Sequence, residues 1–269
     1  MAGPLNQPRV WNLVADGYNK ITADFPGAYA DQALQEVTLQ PDMRVVDVAC
    51  GPGTACLPLH DRVGHIDALD FSADMLACLR QNMAARGITN ITPVEGDGQN
   101  LPFADDSYDL YLSMFGLMFF PDRDRGLAEA RRVLQPGGLA LISSWAPMDR
   151  SPLMQTLMGA QQAGNPDLRP PPADSGAWDR PETIRAAAEK AGFSVESIRP
   201  MTLSMAVNNG AEFWNSFTKG SPPVVLMREQ QSPEEWQATE SAALAWLEKR
   251  LPEPTRLDTE ALITLLKNS

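Results

Sequence analysis

The 269-residue chain carries 34 Asp and Glu against 22 Lys and Arg, a formal net charge of −12. That balance excludes a broad nucleic-acid or anionic-membrane footprint, because both require clustered positive charge. With 43% apolar residues the chain can bury a sizeable core, enough for one large domain or one domain with an appendage.

The opening Met-Ala-Gly-Pro-Leu-Asn has no basic stretch followed by an apolar run, and no apolar run approaches the roughly 18 residues of a membrane span. Three cysteines, Cys50, Cys56 and Cys78, fit no zinc or redox spacing. These features predict a cytoplasmic protein with reduced thiols, no standard signal peptide and no membrane insertion.

Residues 10–40 carry helical segments dense in aromatics, with Trp11, Tyr18, Phe25 and Tyr29; they form a lid or pack on the core. From 43 to 146 short β-branched or apolar runs alternate with amphipathic helical stretches, the pattern of a parallel sheet flanked by helices. Strands are predicted at 44–48, 65–69, 91–95, 109–114 and 139–145. A helix over 73–86 presents Met75, Leu76, Leu79 and Met83 on one face, with Gly87 as its stop. A second helix over 123–134 ends at Gln135-Pro136-Gly137-Gly138, a predicted turn before the next strand.

Farther on, the prolines of 165–173 predict an exposed loop. Pro181 and Gly192 bracket a helix followed by a strand starting at Phe193. Residues 208–254 read as added helices, clearest over 233–251, and 258–267 is ambiguous between helix and final strand. The predicted class is a Rossmann-like, doubly wound α/β fold with a mostly parallel sheet. Its parts are an N-terminal helical lid (1–40), a core (41–207) and a C-terminal helical cap with an optional last strand (208–269).

The densest chemical signal is Val45-Val46-Asp47-Val48-Ala49-Cys50-Gly51-Pro52-Gly53-Thr54, a strand running into a glycine turn and a helix start. Glycines there let backbone approach a ligand closely, and free amides at a helix start can donate to it. A nucleotide-like ligand fits, although such a turn also occurs as a plain tight connection. Cys56 stands where the dinucleotide fingerprint wants a third Gly or Ala, which disfavours nicotinamide binding. Asp70 ends the second strand, where a carboxylate can accept hydrogen bonds from both hydroxyls of a ribose; the alternative is a helix cap, but Ser72 is already available for that. Asp97 follows the third strand and can accept from an adenine amino group or serve as a turn residue.

These motifs together resemble the class I S-adenosylmethionine-dependent methyltransferases, in the branch that includes the ubiquinone and menaquinone C-methyltransferases. The resemblance covers about residues 10–146, more loosely to 207. It rests on the glycine turn, on Asp70-Phe-Ser-Ala-Asp-Met-Leu76, on Gly96-Asp97-Gly98 through Leu101-Pro102-Phe103 and Ser107-Tyr-Asp109, and on Arg132-Val-Leu-Gln-Pro-Gly-Gly138. Ala49 departs from the family's usual glycine. The resemblance implies S-adenosylmethionine as cofactor and S-adenosylhomocysteine as product. It implies that Asp47 and the turn through Ala49, Gly51 and Gly53 surround the methionine part, and that Asp70 meets the ribose. Phe71 or Met75 would lie on the adenine face, with Asp97 and the Gly98 amide at its edge. Ser113 would lie beside the reactive methyl and Tyr18 over the cofactor, and these two are the catalytic candidates.

Methyl transfer from a sulfonium is an in-line displacement, and positioning alone can provide roughly 7 to 11 kcal/mol, so a dedicated base is optional. The chain's two histidines, His60 and His65, fall on the first helix and second strand and read as structural. Ser143-Ser-Trp-Ala-Pro-Met148 lacks the acid and amide cluster of a metal-dependent catechol enzyme, so no metal is expected. The fourth strand runs into Ser113-Met-Phe-Gly-Leu-Met-Phe-Phe-Pro121, not the Asn-Pro-Pro-Tyr type of the nucleic-acid base methylases. The expected partner is therefore a small, largely apolar acceptor. Its pocket candidates are Phe115 and Trp145, with Phe213 and Trp214 from the cap; Phe115 is equally readable as core, and Met118 and Phe119 read first as core. Two alternatives stay open: an enzyme using the same fold for decarboxylation, cyclisation or aminopropyl transfer, and a non-catalytic cofactor-binding subunit. Monomer and homodimer are both compatible.

Overall fold

In a computed structural model the described residues are 3–169 and 178–269, so residues 170–173 of the predicted proline loop lie outside them. Among the described residues seven strands form one sheet in the order β3-β2-β1-β4-β5-β7-β6. β1 (Arg44–Val48), β2 (His65–Asp70), β3 (Ile91–Glu95), β4 (Tyr108–Met114) and β5 (Leu134–Trp145) are parallel. β7 (Thr255–Asn268) runs antiparallel between β5 and β6 (Phe193–Val207). The ambiguous last segment is therefore a strand, and it belongs to the sheet rather than to the cap with which the sequence reading grouped it.

β1 has three valines, Val45, Val46 and Val48, and is buried on both faces from Val45 onward, as a central parallel strand requires. Val45 joins the cluster packed under helix α2 (Asp24–Ala33), short helix α3 (Cys56–Leu59) and helix α4 (Ala73–Arg86), whereas Val46 joins the opposite cluster under α5 (Arg123–Val133). This alternation fixes the double winding. α4 starts at a Ser72 side chain that accepts from the Met75 amide at 3.2 Å and stops at Gly87, whose φ of +67° closes the helix. The expected turn at 135–138 is instead part of β5. Gly137, at φ +85°, lets the strand bulge between two stretches paired to β4.

The helices after β5 are legible in the sequence only in part. α6 (Pro152–Gly164), which had not been read, packs with α8 (Gly210–Gly220), α9 (Pro222–Glu229) and α10 (Pro233–Arg250) around a separate apolar cluster. α7 (Pro181–Lys190) lies where Pro181 and Gly192 placed it. α10 begins with a capping box between Ser232 and Glu235. No helix among the described residues is long and apolar enough to cross a membrane.

The N-terminal segment, α1 (Pro8–Gly17) with a π turn at Tyr18–Thr22, abuts α8 backbone to backbone. A Cβ on Gly17 would sit 2.1 Å from the Lys219 carbonyl oxygen, and one on Gly220 would sit 2.6 Å from the Thr22 side chain. Gly17→Ala is expected to lower stability by about 1 to 3 kcal/mol, the usual cost of overpacking. A denaturant midpoint unchanged from the parent would show that this contact does not hold the two segments together.

Candidate active site

The carboxyl ends of the strands open on one cavity of about 450 Å³, the usual ligand position in a doubly wound sheet. Its floor follows the strand order. Asp97 and Gly98 come from the end of β3, Asp70 and Phe71 from β2, and Ala49 to Pro52 from β1. Met114 to Gly116 come from β4, Trp145 from β5 and Met205 from β6. The roof is formed by Trp11, Tyr18 and Phe25 at the N-terminus and by Phe217 and Ser221 to Pro223 of the C-terminal helices.

One end of the cavity is acidic. Asp70 is 5% exposed, and its two oxygens accept from the Gly51 amide at 2.8 Å and the Ser72 amide at 2.9 Å. Burial nevertheless pushes its pKa up to about 6, against the pull of those amides. The exposed Asp97 accepts from the amide and side chain of Gln99 at 2.9 and 3.0 Å. Gly51, at φ +56°, has no atom within 4 Å of where a Cβ would stand, so a ligand can lie directly on its backbone. A Cβ on Gly98 would strike Phe120 at 2.3 Å, which explains why that position is bare.

The other end is aromatic. Phe115 and Trp145 stack with centroids 4.0 Å apart and 23° between planes. Tyr29 meets both edge-on behind the wall, at 5.4 and 5.7 Å, and its hydroxyl donates to the Thr259 carbonyl at 2.5 Å. Phe25, Leu153, Met154 and Leu157 extend this surface.

Two residues at the junction of the ends adopt left-handed backbone, Ala49 and Phe115, both at φ +59°. Such conformations cost about 1 to 2 kcal/mol outside glycine and collect at functional sites. Phe115 is held there by its amide donating to Ser143 Oγ at 2.9 Å and by the Trp145 stack. Ala49 and Gly116 are complementary in space, since a Cβ on Gly116 would lie 2.4 Å from the Ala49 methyl. Ala49→Gly is expected to stabilise the protein by about 1 kcal/mol, because glycine adopts this φ without strain. The check is a rise in denaturant midpoint at constant slope; a fall would mean that methyl packing outweighs the backbone strain.

Of the sequence-predicted residues, Tyr18, Ala49, Gly51, Asp70, Phe71, Met75, Asp97, Gly98, Phe115 and Trp145 line the cavity, as do Met118 and Phe119. Asp47, Gly53, Ser113, Phe213 and Trp214 do not. Asp47 lies behind the glycine turn, 1% exposed, with Oδ2 unpartnered; burial pushes its pKa up to about 7 despite hydrogen bonding from Cys56, and Asp70 adds to the shift. Gly53, at φ +99°, is bare because a Cβ would strike Leu79 and Leu57. Ser113 lies inside β4, and its hydroxyl accepts from the Leu117 amide at 3.0 Å. Phe213 and Trp214 are buried among the C-terminal helices, where Trp214 stacks on Trp236. Their helix instead offers Phe217 to the cavity.

Asn12 had not been read from sequence: it accepts from the Ser72 hydroxyl at 2.6 Å and so ties α1 to the start of α4. Leu153, Met154 and Leu157 were also missed, although their near-helical spacing before Gly164 was a legible signal. His65 lies 3.3 Å from Asp67 on β2, and the three cysteines are free and buried.

Residues 45–138 match a family model described as a methyltransferase domain. A demethylmenaquinone methyltransferase of Desulfitobacterium hafniense is 39% identical over 114 residues, 41% of this chain and 45% of that protein. The chain thus spans about half the length of the curated relatives it matches. Among solved structures, a Bacillus halodurans protein described as a methyltransferase aligns over 90% of this chain and 99% of its own, with TM-score 0.60 and 17% identity. The cyclase SpnF aligns over 90% of this chain and 80% of its own, with TM-score 0.57 and 17% identity; at such identities the likeness is one of fold. The chain thus has the fold of the methyltransferases, and its residues 45–138 carry the methyltransferase domain that it shares with the demethylmenaquinone methyltransferases it resembles.

Proposed function

We propose that the protein transfers the methyl group of S-adenosylmethionine to a small, largely apolar acceptor, without a metal. The observation that carries this reading is a single cavity that is acidic over β1 to β3 and aromatic over β4 and β5.

The residues present fit the donor. The Asp70 carboxylate is buried at the cavity wall, and Gly51 leaves its backbone open to a ligand. In this reading Asp70 accepts from the ribose hydroxyls, Asp97 and the Gly98 amide meet the adenine edge, and Met75 and Phe71 cover its face. The turn at Ala49 to Gly51 receives the methionine part. When bound, the donor supplies an electrophilic methyl: the acceptor's electron pair forms the new bond, the carbon–sulfur pair stays on sulfur, and the product is a neutral thioether.

The chain's own contribution is alignment and exclusion of water. Phe115 and Trp145 hold a flat acceptor against the donor end, and their π faces favour the cationic sulfur. Burial and neighbouring Asp70 push the Tyr18 phenol up, so its hydroxyl stays protonated and can donate a hydrogen bond. Asp47, Gly53 and Ser113 support the floor from behind. Residues 1–40 act as the lid and the C-terminal helices as the acceptor cap.

The test is calorimetry with S-adenosylmethionine, S-adenosylhomocysteine and NADH. Binding of the first two and not the third is expected; the reverse would refute the reading. A product that retains no methyl from labelled donor would favour the decarboxylase, cyclase or aminopropyl transferase alternative.

A further inference from the structure

Among the described residues, the cavity is lined by ionisable side chains at one end only. Tyr18 comes from the N-terminal π turn, Cys50 from the turn after β1, Asp70 from β2 and Asp97 from the loop after β3. Met114 at the end of β4 and the residues that follow it to Pro121, Trp145 on β5, Leu153, Met154 and Leu157 on α6, Met205 on β6, and Phe217 and Gly220 to Pro223 from α8 and α9 contribute none. Among the described residues, no Lys, Arg, His or Glu lines the cavity at all.

None of the four groups suits the removal of a proton from an acceptor over β4 and β5. Asp70 lies at the donor end on β2, held by two backbone amides where the ribose would lie, and Asp97 lies at the far edge of the sheet, bonded to Gln99. The Cys50 thiol faces its own turn, 3.6 Å from the Gly51 carbonyl, and burial pushes it well up, as burial does the Tyr18 phenol. At neutral pH both stay protonated.

Resting on the methyltransferase reading, we propose that the acceptor is a flat, acidic aromatic compound that enters the aromatic end as its conjugate base, having already lost its proton to water. The reason is electrostatic. An apolar cavity without a cationic side chain penalises a lone anion, but the bound donor brings one positive charge on sulfur. The anion and the donor then compensate each other in a medium of low dielectric, where the attraction exceeds that in water. Transfer of the methyl cancels both charges, releases no proton inside the cavity and leaves two neutral products. A neutral nucleophile would instead leave a cation requiring a base or water to remove its proton. Phe115 and Trp145, stacked at 4.0 Å, present the flat wall that an aromatic anion with delocalised charge would contact.

The probe is 4-nitrophenol, which ionises near neutrality and whose anion has a separate visible absorbance band. It is titrated into the full-length protein saturated with S-adenosylmethionine and, separately, with S-adenosylhomocysteine. The anion is expected to bind the sulfonium complex at least tenfold more tightly than the thioether complex. Its ionisation should shift to lower pH in the first complex and to higher pH in the second. 4-Nitroanisole, the neutral methylated counterpart, should show no preference between the two. Equal affinity of the anion for both complexes, a bound probe that stays protonated at neutral pH in the donor complex, or no binding to that complex would each overturn the proposal. Calorimetry of the donor itself comes first, so that failure of donor binding is counted against the methyltransferase reading and not against this one.

Discussion

Replacing Asp70 by alanine is expected to weaken binding of S-adenosylmethionine and S-adenosylhomocysteine alike by roughly 1 to 3 kcal/mol, the cost of losing hydrogen bonds to a charged acceptor. The loss should fall on donor affinity and leave turnover at saturating donor nearly intact, apart from what the freed Gly51 and Ser72 amides cost in loop order. Asp70→Asn should recover less than its near-isosteric shape suggests, because its amide nitrogen would face a backbone N–H. Unchanged donor affinity in a folded Asp70→Ala protein would remove this residue from the site.

The same carboxyl predicts a pH dependence whose sign follows from burial. Asp70 rises to about 6 and Asp47 to about 7, against an ordinary carboxyl near 4. Without ligand, the folded chain therefore holds these protons more tightly than the unfolded chain. The stability they contribute is present at low pH and lost as pH rises from about 4 to about 7. Donor binding works in the opposite direction, because the carboxylate form of Asp70 is the one that accepts from two hydroxyls. Affinity should be flat above pH 7 and fall below pH 6, approaching tenfold per pH unit, and Asp70→Ala should abolish that fall.

Trp145→Ala is expected to act on the opposite half. The indole stacks on Phe115 and meets Tyr29 edge-on, so its removal takes away the support of a phenylalanine held at φ +59°. A stability loss of about 3 kcal/mol is expected from truncating a large aromatic in packed surroundings. Acceptor kcat/KM should fall about 100-fold, equivalent to roughly 2.7 kcal/mol, while S-adenosylhomocysteine affinity stays within about twofold. Trp145→Phe should restore most of both. Loss of donor affinity with retained acceptor turnover would reverse the assignment of the two ends.

How far these features were legible depended on whether the signal was local. The strand and glycine turn at 45–54 were readable because a buried parallel strand is rich in β-branched residues, here Val45, Val46 and Val48, and the turn needs residues free to take φ near +60°. Asp70 was readable from its position at a strand end. Ser113 was expected beside the methyl, but its hydroxyl is turned to the Leu117 amide within the buried end of β4, a partner that the strand pattern alone does not reveal. The last strand was ambiguous because Ala261-Leu-Ile-Thr-Leu-Leu266 satisfies helical and extended patterns equally; only pairing with β5 and β6 decides it. Phe213, Trp214 and Phe217 share one stripe of α8, and composition could not say which of them faces the cavity. That choice is made by packing against distant α6 and α10.

The proposed function divides one cavity into a donor end over β1 to β3 and an acceptor end over β4 and β5. A crystal structure with S-adenosylhomocysteine bound tests it most directly. The adenosyl group is expected between Asp70, Met75 and Asp97, with the sulfur turned toward Phe115 and Trp145. Adenosine stacked on Trp145, or a ligand outside this cavity, would contradict it.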